Sequence, residues 1–424
     1  MGGLLMGLML SFFALGVPIA VSMGLASGIA LWMDGGVPLT VLVQRFFTSV
    51  DSFSLMAIPF FVLAGVLMEY GGISKRLINL ANALTGHWAG GLGIVTVVTS
   101  MFFAAISGSS AATVAALGSI LIPAMIARGY HKNFAGAIQA AAGELGVIIP
   151  PSIPMILYGV STETSIGKMF MGGIIPGIMI GLSLMLAVYL VAKKRGYAKE
   201  TRKSGRELWQ AFTAAFWALL MPIIILGGIY GGVFTPTESA GVAVVYAFLV
   251  GAFVYKEIRF QHLHKILLQS ATVTSTIMFI IASAGLLGWI LTREGIPQLV
   301  ADFFTGVSES PVVFLILVNL FLLIVGMFME TNASIAILAP LLVPVAVQLG
   351  IDPVHFGIIM IVNLALGMCT PPLGVNLFIS CQIADIRLEQ ITKGMIPLYV
   401  VLLIDLALIS FIPALSLWIP QFVE

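Results

Sequence analysis

The chain consists of long apolar runs separated by short polar segments, and most runs approach the roughly 20 residues that a membrane-crossing helix needs. Two apolar stretches, 88–127 and 311–349, are broken at their middles by the polar clusters Ser107 to Ser110 and Glu330 to Asn332. Each of these two stretches could form two full spans or one re-entrant hairpin. The other runs predict ten spans, which cover residues 2–15, 17–33, 52–70, 131–160, 168–193, 209–231, 238–255, 266–292, 352–384 and 394–419.

The positions of the basic residues favour two hairpins. With both stretches folded as hairpins and the basic segment 193–208 in the cytoplasm, 16 of the 19 Lys and Arg residues lie inside. The three that remain outside are Arg45, Lys168 and Arg293. This bias is the one expected from the positive-inside rule. We therefore predict an all-α polytopic membrane protein with about ten transmembrane helices, two re-entrant hairpins and both termini outside.

Composition excludes several classes of protein. Of the 424 residues, 60% are hydrophobic and 9% are charged, whereas a soluble domain carries about 25% charged residues. The net charge of +1 supplies no basic excess for phosphates, so we expect contact with the lipid bilayer and no nucleic-acid partner. Both cysteines, Cys369 and Cys381, lie in apolar runs and indicate neither a disulfide framework nor a metal-ligand spacing.

The second half of the chain repeats the first. A shift of 221 residues superimposes eight Gly and Pro residues without a gap, including Gly146 on Gly367 and Pro150-Pro151 on Pro371-Pro372. Such residues determine backbone geometry. The first copy starts from the cytoplasm and the second from outside, so the repeat is inverted, as is typical of secondary transporters. The copies are 1–192 and 209–424, joined by the cytoplasmic linker 193–208.

Each copy contains the same three parts in the same order. An amphipathic arm suited to the membrane interface comes first, and a hairpin and a broken helix follow. In the first copy these parts are 73–86, 88–127 and 131–160, and in the second copy they are 296–306, 311–349 and 352–384.

Each hairpin tip pairs with a helix break that contains a proline pair. Proline frees upstream carbonyls because it lacks an amide donor, so hydroxyl, amide and carbonyl oxygens can together surround a small hard cation. The helices that begin after the tips direct their positive N-terminal ends into the same cavity, which favours an anionic substrate group. Ser and Thr at helix ends usually act only as caps, and Pro only as a kink. The recurrence of the arrangement in two symmetric copies favours a binding role.

Four segments resemble the large membrane subunit of tripartite ATP-independent periplasmic (TRAP) transporters. They are Ser107 to Ala112 (SGSSAA), Gly143 to Pro154 (GELGVIIPPSIP), Gly326 to Ser334, and Gly367 to Asn376 (GMCTPPLGVN). The resemblance covers essentially the whole chain. It implies an elevator-type secondary transporter of the ion-transporter superfamily, not an enzyme, in which a sodium gradient drives uptake of an organic acid across the bacterial inner membrane. Sialic acids and C4-dicarboxylates are the substrate classes that the resemblance suggests.

The resemblance also implies partners and site residues. The expected partners are a small four-helix membrane subunit, here a separate chain, and a periplasmic substrate-binding protein. Two sodium ions (Na+) are expected at the two clusters of tip and break. The predicted sodium ligands are Ser107, Ser110, Gly146, Pro150, Glu330, Asn332, Gly367, Cys369 and Thr370. The predicted substrate-binding residues are Ser109, Ser110, Ser152, Thr331, Asn332, Pro372 and Asn376.

Three acidic residues lie within spans, where charge is costly and a functional role is the default hypothesis. Glu330 belongs to the second tip, and we favour a site role for it. For Glu144, one turn before the first break, a role in the site and a supporting hydrogen-bond role both stay open. For Asp405 we favour a structural partner in the scaffold.

Motion and docking can also be predicted. We expect 88–160 and 311–384 to slide as a rigid unit past a scaffold that includes 209–255, because rigid-body movement preserves the binding sites. The external charged residues Arg45, Glu163, Lys168 and Arg293 are expected to contact a soluble receptor.

Other functions fit the residues less well. A sodium-driven organic-anion symporter that works without a binding protein is the main alternative. A membrane hydrolase would need a base near Ser109, and no histidine lies in the middle of a predicted span. A channel would need a continuous pore, which two half-penetrating hairpins do not suggest.

Overall fold

The computed structural model describes residues 2–197 and 201–422, in which no strand occurs. The helices are α1 Gly2–Ala14, α2 Ile19–Asp34, α3 Thr40–Thr48, α4 Ala57–Tyr70, α5 Ile73–Thr85, α6 Gly91–Ser107, α7 Ser110–Ala127, α8 Lys132–Gly143, α9 Leu145–Ile148, α10 Ile153–Ser161, α11 Ile166–Arg195, α12 Gly205–Tyr230, α13 Pro236–Leu249, α14 Phe260–Arg293, α15 Ile296–Val307, α16 Pro311–Phe328, α17 Thr331–Gln348, α18 Pro353–Gly367, α19 Val375–Ala384, α20 Leu388–Phe411 and α21 Ala414–Leu417. Short 3-10 helices cover Phe53–Met56 and Pro420–Phe422, and the π-helix Val250–Val254 extends α13.

Within the two described ranges, nine helices are long and apolar enough to cross a membrane. The pair Lys132–Ile148 and Ile153–Ser161, bent by 42° at its break, would make ten. The predicted all-α polytopic fold is therefore confirmed. The predicted span 2–15 differs in length, because the 13-residue helix α1 is only about 20 Å long at 1.5 Å per residue, whereas the hydrocarbon core is about 30 Å thick.

The predicted repeat is visible in the helix boundaries. When α7 is shifted by 221 residues, its first and last residues fall on those of α17, and α6 falls on α16 to within one residue. The Pro150-Pro151 and Pro371-Pro372 peptide bonds are both cis. One difference between the copies is that α3 and α4 of the first copy correspond to the single 34-residue helix α14 of the second.

Several boundaries differ from the predicted ones. The helix α12 begins at Gly205 rather than 209 because Ser204 and Glu207 form a capping box at its start. This shortens the predicted linker 193–208, whose first three residues belong to α11. The rest of that linker includes 198–200, which lie outside the described residues. The helix α3 was not predicted, since its nine residues are too few to form an apolar run of spanning length.

The helices form two packed bodies. The scaffold consists of α1 to α4 and α12 to α14, which pack on one another. The second body contains both hairpins, both broken helices, and also α11 and α20. The prediction placed these last two helices outside the sliding unit. Glycines explain the difference, because a Cβ on Gly173 of α11 would lie 2.5 Å from the Ile148 carbonyl oxygen, and one on Gly394 of α20 would lie 2.4 Å from that of Asn133.

The two amphipathic arms each contact both bodies. The arm α5 buries Ile73, Leu77 and Leu80, and packs on the hairpin helix α6 and on the scaffold helix α12. The arm α15 packs in the same way on α17 and α14. Arg76 ties α5 to the scaffold, since its guanidinium lies 3.5 Å from Glu257 and 3.8 Å from the centre of the Tyr255 ring.

Candidate ion and substrate site

The first hairpin tip is held against the break of its own copy. Gly108 ends α6 with φ +60°, a left-handed conformation that favours glycine. Ser109 then caps α7 by accepting a hydrogen bond from the Ala112 amide at 3.4 Å. The Ile153 amide at the start of α10 donates to the Gly108 carbonyl at 3.2 Å. The tip therefore lies beside the break in α8 to α10 and not at the end of that span.

Neutral oxygens converge behind this tip. The hydroxyls of Ser107 and Thr113 are 2.9 Å apart, and Thr113 donates to the Ser109 carbonyl at 2.8 Å. Gly146 packs directly on them, because a Cβ there would lie 2.5 Å from the Ser109 carbonyl oxygen and 2.6 Å from the Thr113 hydroxyl. Hydroxyl and carbonyl oxygens of this kind coordinate sodium in broken-helix transporters. The donor set therefore fits Na+.

The second hairpin tip is built around a carboxylate. Glu330 caps α17 and accepts hydrogen bonds from the amides of Asn332 at 2.9 Å and Ala333 at 3.4 Å. The side-chain amide of Asn332 donates to the same carboxylate at 2.7 Å. Glycine again brings tip and break together, because a Cβ on Gly367 would lie 2.5 Å from the Gly326 Cα. This tip supplies a carboxyl group and an amide group where the first tip supplies hydroxyls.

Asn376 joins the two copies behind the tips. Its side-chain amide donates to the Ser110 hydroxyl at 2.7 Å and to the Ala140 carbonyl at 3.3 Å. The Cys369 thiol donates to the same Ala140 carbonyl at 3.2 Å, and Tyr399 donates to the Cys369 carbonyl at 2.6 Å. Asn376 is fully buried. It therefore braces the copies against each other.

A cavity of about 600 Å³ lies between the tips and the scaffold. The tips contribute Ser107, Ser109, Glu330 and Asn332. The scaffold wall is formed by faces of α4 and α14, with Val62, Gly65, Val66, Glu69, Gln269, Thr272, Val273, Thr276, Ile277 and Ile280. A second chamber of about 370 Å³ shares Glu69 with the first and reaches Lys75. Lys75 lies on the predicted cytoplasmic side, so the two chambers extend inward from the tips.

The predicted substrate residues divide into three groups. Ser109 and Asn332 line the cavity. Pro372 is exposed and does not line it. The other four are buried behind the tips, where they bond to neighbouring groups: Ser110 to Asn376, Ser152 to the Val147 carbonyl at 2.6 Å, Thr331 to the Met368 sulfur at 3.0 Å, and Asn376 as described above.

The predicted sodium residues also take several positions. Ser107, Glu330 and Asn332 line the cavity, and Gly146 touches the oxygens of the first tip. The Thr370 hydroxyl donates to the Leu366 carbonyl at 2.8 Å. Ser110, Pro150, Gly367 and Cys369 do not line the cavity and lie in the packed layer behind the tips.

The scaffold wall of the cavity was not predicted from the sequence. Glu69 on α4 and Gln269, Thr272 and Thr276 on α14 supply its polar groups. The three α14 residues are spaced i, i+3, i+7 and therefore share one helix face. A polar stripe with this spacing inside an apolar span was the available signal.

The other buried acids have different surroundings. Glu144 is 1% exposed, and its Oε2 has no hydrogen-bond partner among the described residues. Asp405 accepts a short hydrogen bond from the Ser183 hydroxyl of α11. Asp405 thus has a structural partner as expected, but this partner lies in the body of the hairpins rather than in the scaffold.

The family model of the tripartite ATP-independent periplasmic transporter, DctM component, matches residues 6–415. The chain belongs to this family. It is therefore a multi-pass large permease subunit of a TRAP transporter, as the resemblance implied.

Three curated relatives carry different substrate names. The isethionate TRAP transporter permease protein DctMQ of Oleidesulfovibrio alaskensis is 46% identical over 98% of this chain, which spans 65% of that protein. The C4-dicarboxylate TRAP transporter large permease protein DctM of Pseudomonas aeruginosa is 46% identical over 94% of each chain. The sialic acid TRAP transporter large permease protein SiaM of Vibrio cholerae is 40% identical over 96% of this chain and 95% of that protein.

A solved structure shares the fold of this TRAP subunit. The crystal structure of the YdaH transporter of Alcanivorax borkumensis superimposes with a TM-score of 0.61 over 91% of this chain and 89% of that chain. The sequences are 17% identical, so the likeness concerns the fold alone.

Proposed function

We propose that this TRAP subunit catalyses sodium-coupled uptake of an organic acid anion across the bacterial inner membrane by an elevator mechanism. A separate small four-helix membrane subunit and a periplasmic substrate-binding protein complete the transporter. The observation that carries the proposal is the cavity in which both hairpin tips face the scaffold helices α4 and α14. A substrate in this cavity touches both ion clusters and the interface between the two bodies.

Sodium is assigned to the two clusters of tip and break. At the first cluster, Ser107, Thr113 and the Ser109 carbonyl supply neutral oxygens next to Gly146. At the second cluster, Glu330 supplies negative charge and the side-chain oxygen of Asn332 has no partner. Ions bound at these positions offset buried charge and align the tips that the substrate contacts.

The anionic group of the substrate is assigned to the start of α7. The Glu330 carboxylate already occupies the N-terminal end of α17, whereas the neutral Ser109 side chain caps α7. A helix N-terminus attracts anions through its free amides and its dipole. The end of α7 keeps this positive potential because no carboxylate neutralises it.

A sodium-gradient experiment tests the coupling. The subunit is reconstituted in proteoliposomes with its small subunit and its binding protein, and uptake of isethionate, succinate and sialic acid is measured with sodium or potassium outside. Uptake of one acid that needs the sodium gradient and the binding protein supports the proposal. Sodium-driven uptake that is equally fast without the binding protein would support the stand-alone symporter instead, and uptake indifferent to sodium would contradict both.

A crosslinking experiment tests the elevator. Gly65 of α4 faces the first tip, and a Cβ there would lie 3.6 Å from the Ser107 Cα across the boundary between the bodies. The pair Gly65→Cys and Ser107→Cys should therefore arrest transport when oxidised and release it when reduced, beyond the effect of either single variant.

A matched crosslink lies inside one body. A Cβ on Gly181 of α11 would lie 2.5 Å from the Met101 sulfur of α6. The pair Gly181→Cys and Met101→Cys should crosslink without arresting transport, because both helices move together. Transport that continues through the oxidised pair between the bodies would contradict the elevator.

Docking of the binding protein is assigned to the external charged residues. Two of them lie near the end of α14. The guanidinium carbon of Arg45 lies 5.1 Å from the centre of the Trp289 ring, and a guanidinium nitrogen of Arg293 lies 3.5 Å from an Asp34 carboxylate oxygen. Glu163 and Lys168 flank the start of α11. Charge reversal of these four residues should slow uptake at limiting binding protein while membrane insertion stays unchanged.

A further inference from the structure

The scaffold wall of the cavity carries hydrogen-bond acceptors. Glu69 is half-buried, lines both chambers and bonds to Gln269 across the gap between α4 and α14. Thr272 donates its hydroxyl proton to the Leu268 carbonyl at 2.8 Å, and Thr276 donates to the Thr272 carbonyl at 2.9 Å. With their protons directed into α14, both hydroxyls present lone pairs to the cavity.

The second tip adds another acceptor on the opposite wall. Asn332 is 8% exposed and lines the cavity. Its side-chain nitrogen is bonded to Glu330, but its side-chain oxygen has no partner among the described groups. A buried acceptor without a partner is costly. This amide oxygen has two lone pairs, so it can face the proposed sodium ion and also accept from a ligand hydroxyl.

Positive side chains are absent from the described lining of this chamber. Among the described residues that line it, none is Lys, Arg or His. Lys75 lines only the outer chamber, beyond Glu69. A ligand whose anionic group sits at the start of α7 therefore has the acceptors of the scaffold wall, including the Glu69 carboxylate, around its other end.

We infer that the substrate is a hydroxy acid with one anionic group, whose hydroxyls donate to the Glu69–Gln269 pair and the neighbouring acceptors. The inference rests on the proposed function and specifies its substrate class. A second carboxylate at the far end of the ligand would face Glu69, and like charges in contact are strongly disfavoured. An acid without hydroxyls would leave the acceptors unpaired, and polar sites reject such analogues strongly.

Two pairs of acids isolate the second carboxylate. Gluconate and glucarate share a hydroxylated six-carbon chain, and 4-hydroxybutanoate and succinate share a four-carbon chain. In each pair the members differ at the far end only. Binding to the purified complex of large and small subunits is measured by calorimetry at saturating sodium, without the binding protein. In at least one pair, the monocarboxylate should bind at least tenfold more tightly than the dicarboxylate.

Variants assign this selectivity to Glu69. Glu69→Gln should reduce the ratio of affinities within that pair to about twofold, because the repulsion is gone while the hydrogen-bonding shape is kept. Thr272→Val should weaken binding of the hydroxy acid without tightening binding of the dicarboxylate. Glu257→Gln, at the cytoplasmic side of the same scaffold but outside the cavity wall, should leave the ratio unchanged.

The possible outcomes separate the two proposals. Equal or tighter binding of the dicarboxylate in both pairs, or an unchanged ratio in Glu69→Gln, would overturn the hydroxy-acid inference and leave sodium-coupled transport intact. If none of the four acids bound in the presence of sodium, the hydroxy-acid inference would be overturned, whereas the proposed function is judged by the proteoliposome experiment, in which the binding protein delivers the substrate.

Discussion

The two hairpin tips occupy equivalent positions in the repeat, but they cap their second helices with different groups. Ser109 caps α7 with a hydroxyl that accepts one amide hydrogen bond, whereas Glu330 caps α17 with a carboxylate that accepts from two backbone amides and from the Asn332 side chain. The backbone is thus symmetric while the electrostatics is not. This difference suggests a division of labour, with the anion at the first tip and the stronger cation attraction at the second.

Removal of the second carboxylate should have the largest effect. Glu330→Ala leaves two amides and the Asn332 side chain without their shared acceptor, a loss of about 1–3 kcal/mol that corresponds to roughly 5- to 150-fold in sodium affinity. This loss of sodium affinity is measured from the sodium dependence of uptake at a fixed substrate concentration. Glu238→Ala, which removes a carboxylate from the capping box of the scaffold helix α13, is the control and should stay near wild type. Equal losses in both variants would argue for a general folding defect.

Making the first tip resemble the second should abolish the preference for the anion. Ser109→Glu places a carboxylate where a helix dipole stabilises it by about 0.3–1 kcal/mol, so the fold should persist. Repulsion should raise the substrate KM by about tenfold or more, because like-charge contact costs several kcal/mol. Ser109→Gln, similar in size but neutral, should raise the KM far less. An unchanged KM in Ser109→Glu would place the anion elsewhere.

Steric pressure on the first ion cluster should have an intermediate effect. In Gly146→Ala the new methyl group meets the Ser109 carbonyl and the Thr113 hydroxyl below 3 Å. Overpacking of this kind costs about 1–3 kcal/mol, and we expect sodium activation to shift by about tenfold. Gly288→Ala of α14, whose Cβ would meet nothing within 4 Å, is the matched control. Identical sodium curves for the two variants would remove Gly146 from the ion site.

The smallest effect is expected from the bond between the copies. Ser110→Ala deprives Asn376 of one acceptor but leaves it the Ala140 carbonyl, so the loss is that of one hydrogen bond, about 1 kcal/mol. The sodium concentration for half-maximal uptake should rise a few-fold. Asn332→Ala at the second tip should raise it more, because it removes a cavity-lining oxygen. The reverse order would mean that the brace matters more to ion binding than the tip does.

The helices, both tips and both breaks were predictable because local residues specify them. Glycine and proline act on the backbone of their own segment, through positive φ at Gly108 or through the missing amides of Pro150-Pro151 and Pro371-Pro372. Hydrophobic run length identified the spans for a similar reason, since a helix satisfies its own hydrogen bonds in the membrane. Most boundary errors were a few residues, and capping boxes such as Ser204 with Glu207 explain part of them.

Tertiary packing alone decided which helices form one body and what lines the cavity. Glycines such as Gly173 and Gly394 fixed α11 and α20 to the hairpins, yet their partners Ile148 and Asn133 are distant in sequence. Asn376, one of the predicted substrate residues, bonds to Ser110, 266 positions away. The sequence shows that Glu69 and Gln269 are polar, but it does not show that they contact each other. That contact depends on how the two separately stable helices α4 and α14 pack against each other.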